Sequence, residues 1–103
     1  MAKYLLVYHG GQMPETDEER ATLMKSWTDW FGQLGSAVKD QGNPVSQVRT
    51  INNGSVSNGG ANAASGYSII EADSMDGAVE LAKGCPVLQG GASLEVAETF
   101  DAM

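Results

Sequence analysis

The chain has little of what several classes of protein need. One cysteine cannot form an internal disulfide, and one cysteine with one histidine cannot supply the four ligands of a structural zinc site. Six basic residues stand against 13 acidic ones, a net charge of −7, whereas nucleic-acid binding needs clustered Lys and Arg. No apolar run approaches the roughly 20 residues of a membrane span. We therefore expect no metal site, no nucleic-acid partner and no membrane partner.

Length, the amino-terminal residues and the cysteine content indicate the number of domains and the cellular compartment. At 103 residues the chain is expected to form a single domain over residues 1–103. Met1-Ala2-Lys3 runs directly into a strand-like segment, without a basic and then apolar leader. The single cysteine fits a reducing compartment. We expect a cytoplasmic protein.

The first strand is predicted at Lys3–His9, where every second side chain points the same way. Tyr4, Leu6 and Tyr8 share one side, and Leu5, Val7 and His9 share the other. Both sides are apolar, so both should be covered in the native protein. Met13-Pro14 should keep the following link extended.

A long amphipathic helix is predicted next, beginning at a cap formed by Thr16 or Asp17 and closed by Gly42. Its apolar stripe recurs at helical spacing and consists of Leu23, Trp27, Trp30, Phe31, Leu34 and Val38. Gly32 and Gly35 would be interior positions, where we expect a neighbouring element to approach closely.

The remainder of the chain repeats the strand and helix pattern after a hairpin. The predicted elements are a strand at Val45–Asn52, a turn at Asn53-Gly54 with a short return at Ser55–Ser57, a small-residue loop at Asn58–Ser65, a strand at Tyr67–Ile70, a helix through Met75–Ala82, and a strand around Leu94 and Val96. This order predicts an α+β, ferredoxin-like βαββαβ fold with a four-stranded antiparallel sheet and two helices on one face. The uncovered apolar face predicts a homodimer, in which two sheets enclose a barrel-like space.

Three segments also resemble a known family. KYLLVYHGG, NPV with the NGSVSNGGANAASGY loop, and above all GYSIIEADSMDGAVELAKGCPVLQGGASLEVAE resemble the YCII-related (DGPF-type) domain family over nearly the whole chain. The resemblance implies a dimeric α/β barrel, and in some members an enzyme with a His–Asp pair in a pocket. No histidine lies between Lys25 and Asp40, and NGGANAASGY stands where the DGPF motif would be.

The candidate catalytic residues are His9, at the end of the first strand, and Asp40, at the end of the long helix. A histidine titrates near neutral pH and suits acid–base chemistry, with Asp40 or Glu71 as the nearby acid. The alternative is a structural histidine that is hydrogen-bonded to a neighbouring loop.

The candidate ligand-binding residues are aromatic or charged. Arg49 could clamp a carboxylate or phosphate, or instead pair with Glu71 across two strands. Trp27 and Trp30 could form a wall for a flat ligand, or belong to the core. Tyr67 carries the same two alternatives. The glycine pairs lack phosphate-binding spacing, and we predict no cofactor.

Two functions are consistent with these residues, and a third, an oxygenase-like or dismutase-like enzyme on the same barrel, rests on fold analogy alone. The first is a small homodimeric protein that binds a small-molecule ligand near His9 and carries out acid–base chemistry. The second is a non-catalytic binding or regulatory interaction module, which the absence of a histidine on the long helix favours.

Overall fold

The computed structural model describes residues 1–11, 14–60 and 62–102. Met13, expected to be extended ahead of Pro14, and Ala61 of the small-residue loop lie outside these ranges. The described residues form, in order, β1 (Ala2–His9), α1 (Asp17–Leu34), a 3₁₀ turn (Gly35–Ala37), β2 (Val38–Asp40), β3 (Arg49–Asn52), β4 (Ser55–Asn58), β5 (Ala64–Ala72), α2 (Met75–Ala82), a second 3₁₀ turn (Pro86–Gly90) and β6 (Ser93–Glu98).

Four of the strands form one antiparallel sheet in the order β2-β5-β1-β6. Each half of the chain supplies a strand, a helix and a second strand, and the two halves interleave in the sheet. This is the ferredoxin-like α+β arrangement expected from the sequence.

The predicted end of the long helix is wrong. Thr16 caps α1 as expected, since its Oγ1 accepts the Glu19 amide at 3.0 Å. The helix ends at Leu34, however, because Gly35 adopts a left-handed φ of 57° that a helix cannot continue through. No described atom lies near the missing Cβ of Gly32 or Gly35, so neither glycine makes room for a neighbour.

The predicted second strand is also wrong. Residues Val38–Asp40, placed in the helix by the sequence, form β2, where Val38 pairs with Ile70 and Asp40 with Ile69. Gly42 then turns the chain with a φ of 75°, and a Cβ there would lie 1.7 Å from the Tyr67 carbonyl oxygen. Only glycine fits so close to a neighbouring backbone.

The segment predicted as strand Val45–Asn52 divides into two parts. Its first residue follows the edge of β5, with the Val45 amide donating to the Ser65 carbonyl at 2.9 Å. Its last residues form β3, which pairs with β4 in a separate two-stranded sheet. Asn53 and Gly54 both have positive φ, which confirms the predicted hairpin turn.

The core lies between one face of the sheet and the two helices. Its largest buried side chains are Tyr4, Leu6 and Tyr8 of β1, with Ile70 of β5 and Trp30 of α1. Ala78 and Ala82 of α2 complete the contact with small side chains, which let that helix approach closely. Both helices therefore cover the same face, as predicted.

Among the described residues, no helix is long and apolar enough to cross a membrane.

Candidate functional site

The second face of the sheet, called here the open face, carries the residues that alternate with the core. Leu5 pairs with Ile69 on one side and Ala97 on the other, and Val7 pairs with Tyr67 and Glu95. Directly paired residues of an antiparallel sheet point to the same side. Leu5, Val7, Tyr67 and Ile69 are half-buried by their neighbours in the sheet, while both helices lie on the other side.

His9 lies at the end of this face and is held from two sides. Its Nδ1 is 2.9 Å from the Asn62 carbonyl oxygen, and its Nε2 contacts the Glu95 carboxylate. A carbonyl oxygen only accepts, so Nδ1 carries the proton and the ring orientation is fixed. The His9 side chain is 12% exposed, whereas the Glu95 side chain is 68% exposed.

The two ring nitrogens of His9 therefore differ in their chemistry. With its proton on Nδ1, the ring has none on Nε2 to donate to the Glu95 carboxylate that Nε2 contacts, so Nε2 is buried without a hydrogen-bond partner among the described residues. A neutral ring with a proton on Nδ1 has its basic lone pair on Nε2. Nε2 can thus accept a proton, and the adjacent carboxylate can stabilise the imidazolium that forms.

Asp40 is not brought together with His9. It lies on β2, two strands away from β1, and its Oδ1 accepts the Gly42 amide at 2.8 Å. Its register opposite Ile69 and that of His9 opposite Ala64 place the two residues roughly 15–20 Å apart at ordinary strand spacings. The described carboxylate beside His9 is that of Glu95. The alternation of Ser93 and Glu95 with Leu94 and Val96 was visible in the sequence, but the pairing register between β6 and β1 was not.

The charged candidates Arg49 and Glu71 are also separate. Arg49 lies on the hairpin, where its Nη1 donates to Asn58 Oδ1 at 2.9 Å. Glu71 on β5 is 3.5 Å from Lys39 Nζ, so the cross-strand pair expected between Arg49 and Glu71 is replaced by one with Lys39. The reason is that β2, rather than the predicted Val45–Asn52 strand, occupies the edge beside β5.

The aromatic candidates lie on both sides of the sheet. Trp30 is buried in the core and donates from Nε1 to the Leu81 carbonyl at 3.1 Å. Trp27 is half-buried and packs edge-on against Tyr8, with ring centroids 5.5 Å apart. Tyr67 belongs to the open face, beside Val7. Of the predicted ligand-binding residues, Tyr67 and Glu71 therefore share a face with His9 and Glu95, and Tyr67 lies closer to His9 along β5 than Glu71 does. We call His9, Glu95 and Tyr67 the open-face site.

Two surface grooves lie on the helix side. The larger, of about 1240 Å³, runs between the first half of α1, Gly10 and Gly11 after β1, the segment around Val45, and the second 3₁₀ turn. Its charged lining residues are Glu18 and Glu19, so it presents negative charge. The smaller, of about 370 Å³, is lined by Trp27, Phe31 and four other residues. Neither groove is lined by His9, Asp40 or Arg49.

A buried polar chain lies beneath Trp27. The Tyr8 hydroxyl donates to Ser68 Oγ at 2.7 Å, and Ser68 donates to the Gln41 carbonyl at 2.7 Å. Burial raises the pKa of the Tyr8 hydroxyl and of the Cys85 thiol next to it, so both stay protonated at neutral pH. A protonated, buried thiol is a poor nucleophile, and Cys85 is a core residue. The described residues contain no cluster of His, Cys, Asp and Glu arranged to hold a metal ion.

Comparison with known proteins gives similarities to solved structures but none to a family model or a curated protein. No family model matches the chain, and no curated protein matches it. Among solved structures, the chain is similar to 5-chloro-2-hydroxyhydroquinone dehydrochlorinase from Burkholderia phenoliruptrix AC1100, in its complex with 2,5-dihydroxybenzoquinone. The two share 16% sequence identity with a TM-score of 0.48, over 88% of this chain and 90% of that chain.

Proposed function

We propose that this protein is a homodimer in which two open faces meet and enclose a chamber for a small molecule. In that chamber His9 exchanges a proton with the ligand, and Glu95 stabilises the charge. The observation that supports the proposal most directly is the position of the His9–Glu95 pair at the end of an apolar sheet face that the chain's own helices leave uncovered.

The apolar side chains of the open face provide the driving force for pairing. Leu5, Val7, Tyr67 and Ile69 form one contiguous patch at the centre of the sheet. Each square ångström of apolar surface removed from water contributes about 25 cal/mol, so such a patch favours association. A two-fold axis brings the same patch of the second copy onto it.

The proton transfer follows from the geometry of His9. With Nδ1 donating to Asn62, the ligand's acidic proton goes to Nε2 once the exposed Glu95 side chain has rotated aside to admit the ligand, and the electron pair stays on the ligand. Glu95 then faces an imidazolium rather than a lone pair, which turns a weak contact into an ion pair. Covering the site by the second copy excludes water and strengthens this interaction.

The first test concerns the dimer. Val7→Asp places a charge in the centre of the proposed interface, and we expect it to yield a species with the mass of one chain in sedimentation equilibrium. Met24→Asp, an exposed apolar residue of α1, is the matched control and should remain dimeric. Ile69→Lys repeats the test if the Val7 variant does not fold. A wild-type chain that is monomeric at micromolar concentration would refute the proposal.

The second test concerns His9. Because the chain contains a single histidine, its ring signals in long-range ¹H–¹⁵N spectra belong to His9 without ambiguity. We expect a proton on Nδ1 in the free protein. Binding of a member of a panel of phenols and aromatic carboxylic acids should shift Nε2, and Glu95→Gln should reduce that shift. A ligand that binds without changing the His9 ring would rule out the proton transfer.

The alternative, a non-catalytic interaction module, is favoured by one observation. Both ring nitrogens of His9 already have neighbours within the subunit, so the side chain has a structural role without any ligand. In that case His9→Gln would lower stability and leave ligand binding unchanged. Membership of the YCII-related family, a single domain over residues 1–103 and a cytoplasmic location stay predictions from the sequence.

A further inference from the structure

The hairpin formed by β3 and β4 has two different faces. Ile51 pairs with Val56 and Arg49 with Asn58, and these four side chains share one face, called here the arm face. The other face carries only small polar residues: Thr50, Asn52, Ser55 and Ser57. Ile51 is 74% exposed and Val56 is 64% exposed, although they lie directly opposite each other. An apolar cross-strand pair is thus presented to solvent.

The hairpin is also separate from the main sheet. An isolated two-stranded hairpin is marginally stable in water and usually needs packing against another element. The described residues span 45 × 41 × 18 Å with a radius of gyration of 14.8 Å, and a compact chain of this length would have about 13 Å. The molecule is therefore a thin slab rather than a globule. The base of the hairpin, where Gly59 bonds to Val48, leads into the end of the sheet that carries His9.

The size of the open face indicates that a dimer needs more contact area. The strands β2, β5, β1 and β6 have 3, 9, 8 and 6 residues, so at about 3.3 Å per residue and about 4.8 Å between strands the sheet has a planar footprint of roughly 410 Å². A standard stable interface buries about 800 Å² on each partner. The apolar side chains of the arm face, Ile51 and Val56, can supply part of the contact area that the open face lacks.

The position of Arg49 also fits a second copy of the chain as the partner. The chain has a net charge of −7, so two copies repel each other at low ionic strength unless a basic side chain offsets the repulsion where they meet. Arg49 is the only basic residue between Asp40 and Ala82 in the sequence, and it lies on the arm face, where Asn58 orients its guanidinium. A second acidic copy of the chain offers the carboxylates that this guanidinium would bind.

We propose that the hairpin is a dimerisation arm, which packs Ile51 and Val56 onto the second copy and directs Arg49 to one of its carboxylates. This inference rests on the homodimer proposed above and assigns to it a second contact, distinct from the open face.

The test compares the two faces of the hairpin. Ile51→Ser with Val56→Ser should weaken the dimer at least tenfold in sedimentation equilibrium. Thr50→Ala with Ser57→Ala, a cross-strand pair on the polar face, is the matched control and should change it less than threefold. If the dimer stays intact at the lowest measurable concentration, subunit exchange between labelled and unlabelled chains is followed by native mass spectrometry. The Ile51/Val56 variant should then exchange at least tenfold faster.

Arg49→Glu tests the charge separately. It should weaken the dimer at low salt, and the loss should shrink at high salt because ions screen the contact. A dimer that Val7→Asp dissociates but that Ile51→Ser/Val56→Ser leaves unchanged would overturn the arm and retain the open-face dimer. A wild-type monomer would overturn both.

Discussion

The two faces of the central sheet are made of similar side chains and have different surroundings. On the helix side, Tyr4 and Leu6 are fully buried. On the open face, Leu5 and Val7, their neighbours along the same strand, are half-buried. Hydrophobicity alone therefore does not tell which face of a strand the chain itself covers. A strand that is apolar on both sides has two faces to cover, and the helices of the chain cover only one of them.

Adjacent leucines on β1 give the largest expected contrast between the faces. Leu6→Ala should lower the free energy of unfolding by about 2–5 kcal/mol, because it leaves a cavity between the sheet and the helices. Leu5→Ala should cost about 1 kcal/mol or less in dilute protein and more as the concentration rises, if the open face is an interface. Urea unfolding at two protein concentrations measures both. Equal costs for the two leucines in dilute protein would contradict the contrast.

Titration of Cys85, in the core on the helix side of the sheet, should have a smaller effect on the free energy of unfolding. Burial raises the pKa of Cys85 above its ordinary value of 9.0, so above about pH 9 the unfolded chain loses this proton while the folded chain retains it. The contribution of the protonated Cys85 thiol to the stability of the fold is therefore present in full below pH 9, and it is lost as the pH rises towards the folded-state pKa. The stability difference between wild type and Cys85→Ala should narrow between pH 9 and pH 10.5. A difference that stays constant over that range would exclude this linkage.

The smallest effect is expected at the edge of the open face. Lys39 and Glu71 form an ion pair at 3.5 Å with both side chains partly exposed. Such pairs contribute about 1 kcal/mol or less. Lys39→Gln should therefore change the free energy of unfolding by less than that, and thermal unfolding in low and high salt measures it. A loss of several kcal/mol would show that Lys39 has a further role.

Much of the fold could be predicted from local patterns. The alternation of β1, the Thr16 cap, the Asn53-Gly54 turn and the second strand–helix–strand unit all follow from residues close in sequence. The end of α1 could not, because the residues after Gly35 allow helix or strand locally. The three residues of β2 are a strand because Ile69 and Ile70 lie beside them. That pairing is a tertiary contact.

The candidate site also has one residue that local sequence predicts and another that only a tertiary contact identifies. His9 is predictable from the sequence because it is the only histidine and ends an apolar strand. Its described carboxylate neighbour, Glu95, lies 86 positions further along the chain and is brought close by the register between β1 and β6. Asp40 is predicted as a helix-end acid because the apolar pattern of the helix continues to Val38, but α1 ends at Leu34 and Asp40 lies on β2.

The short strand β2 has a consequence for how copies of the chain can associate. It has three residues and a register shift between Val38 and Asp40, so this margin of the sheet offers few free backbone groups for another strand to extend. The opposite margin, β6, carries Glu95 and Glu98, and two such acidic strands side by side would repel. Growth into fibrils by strand addition is thereby disfavoured, which leaves side-chain packing on the open face as the route by which this acidic protein can associate with another copy of itself.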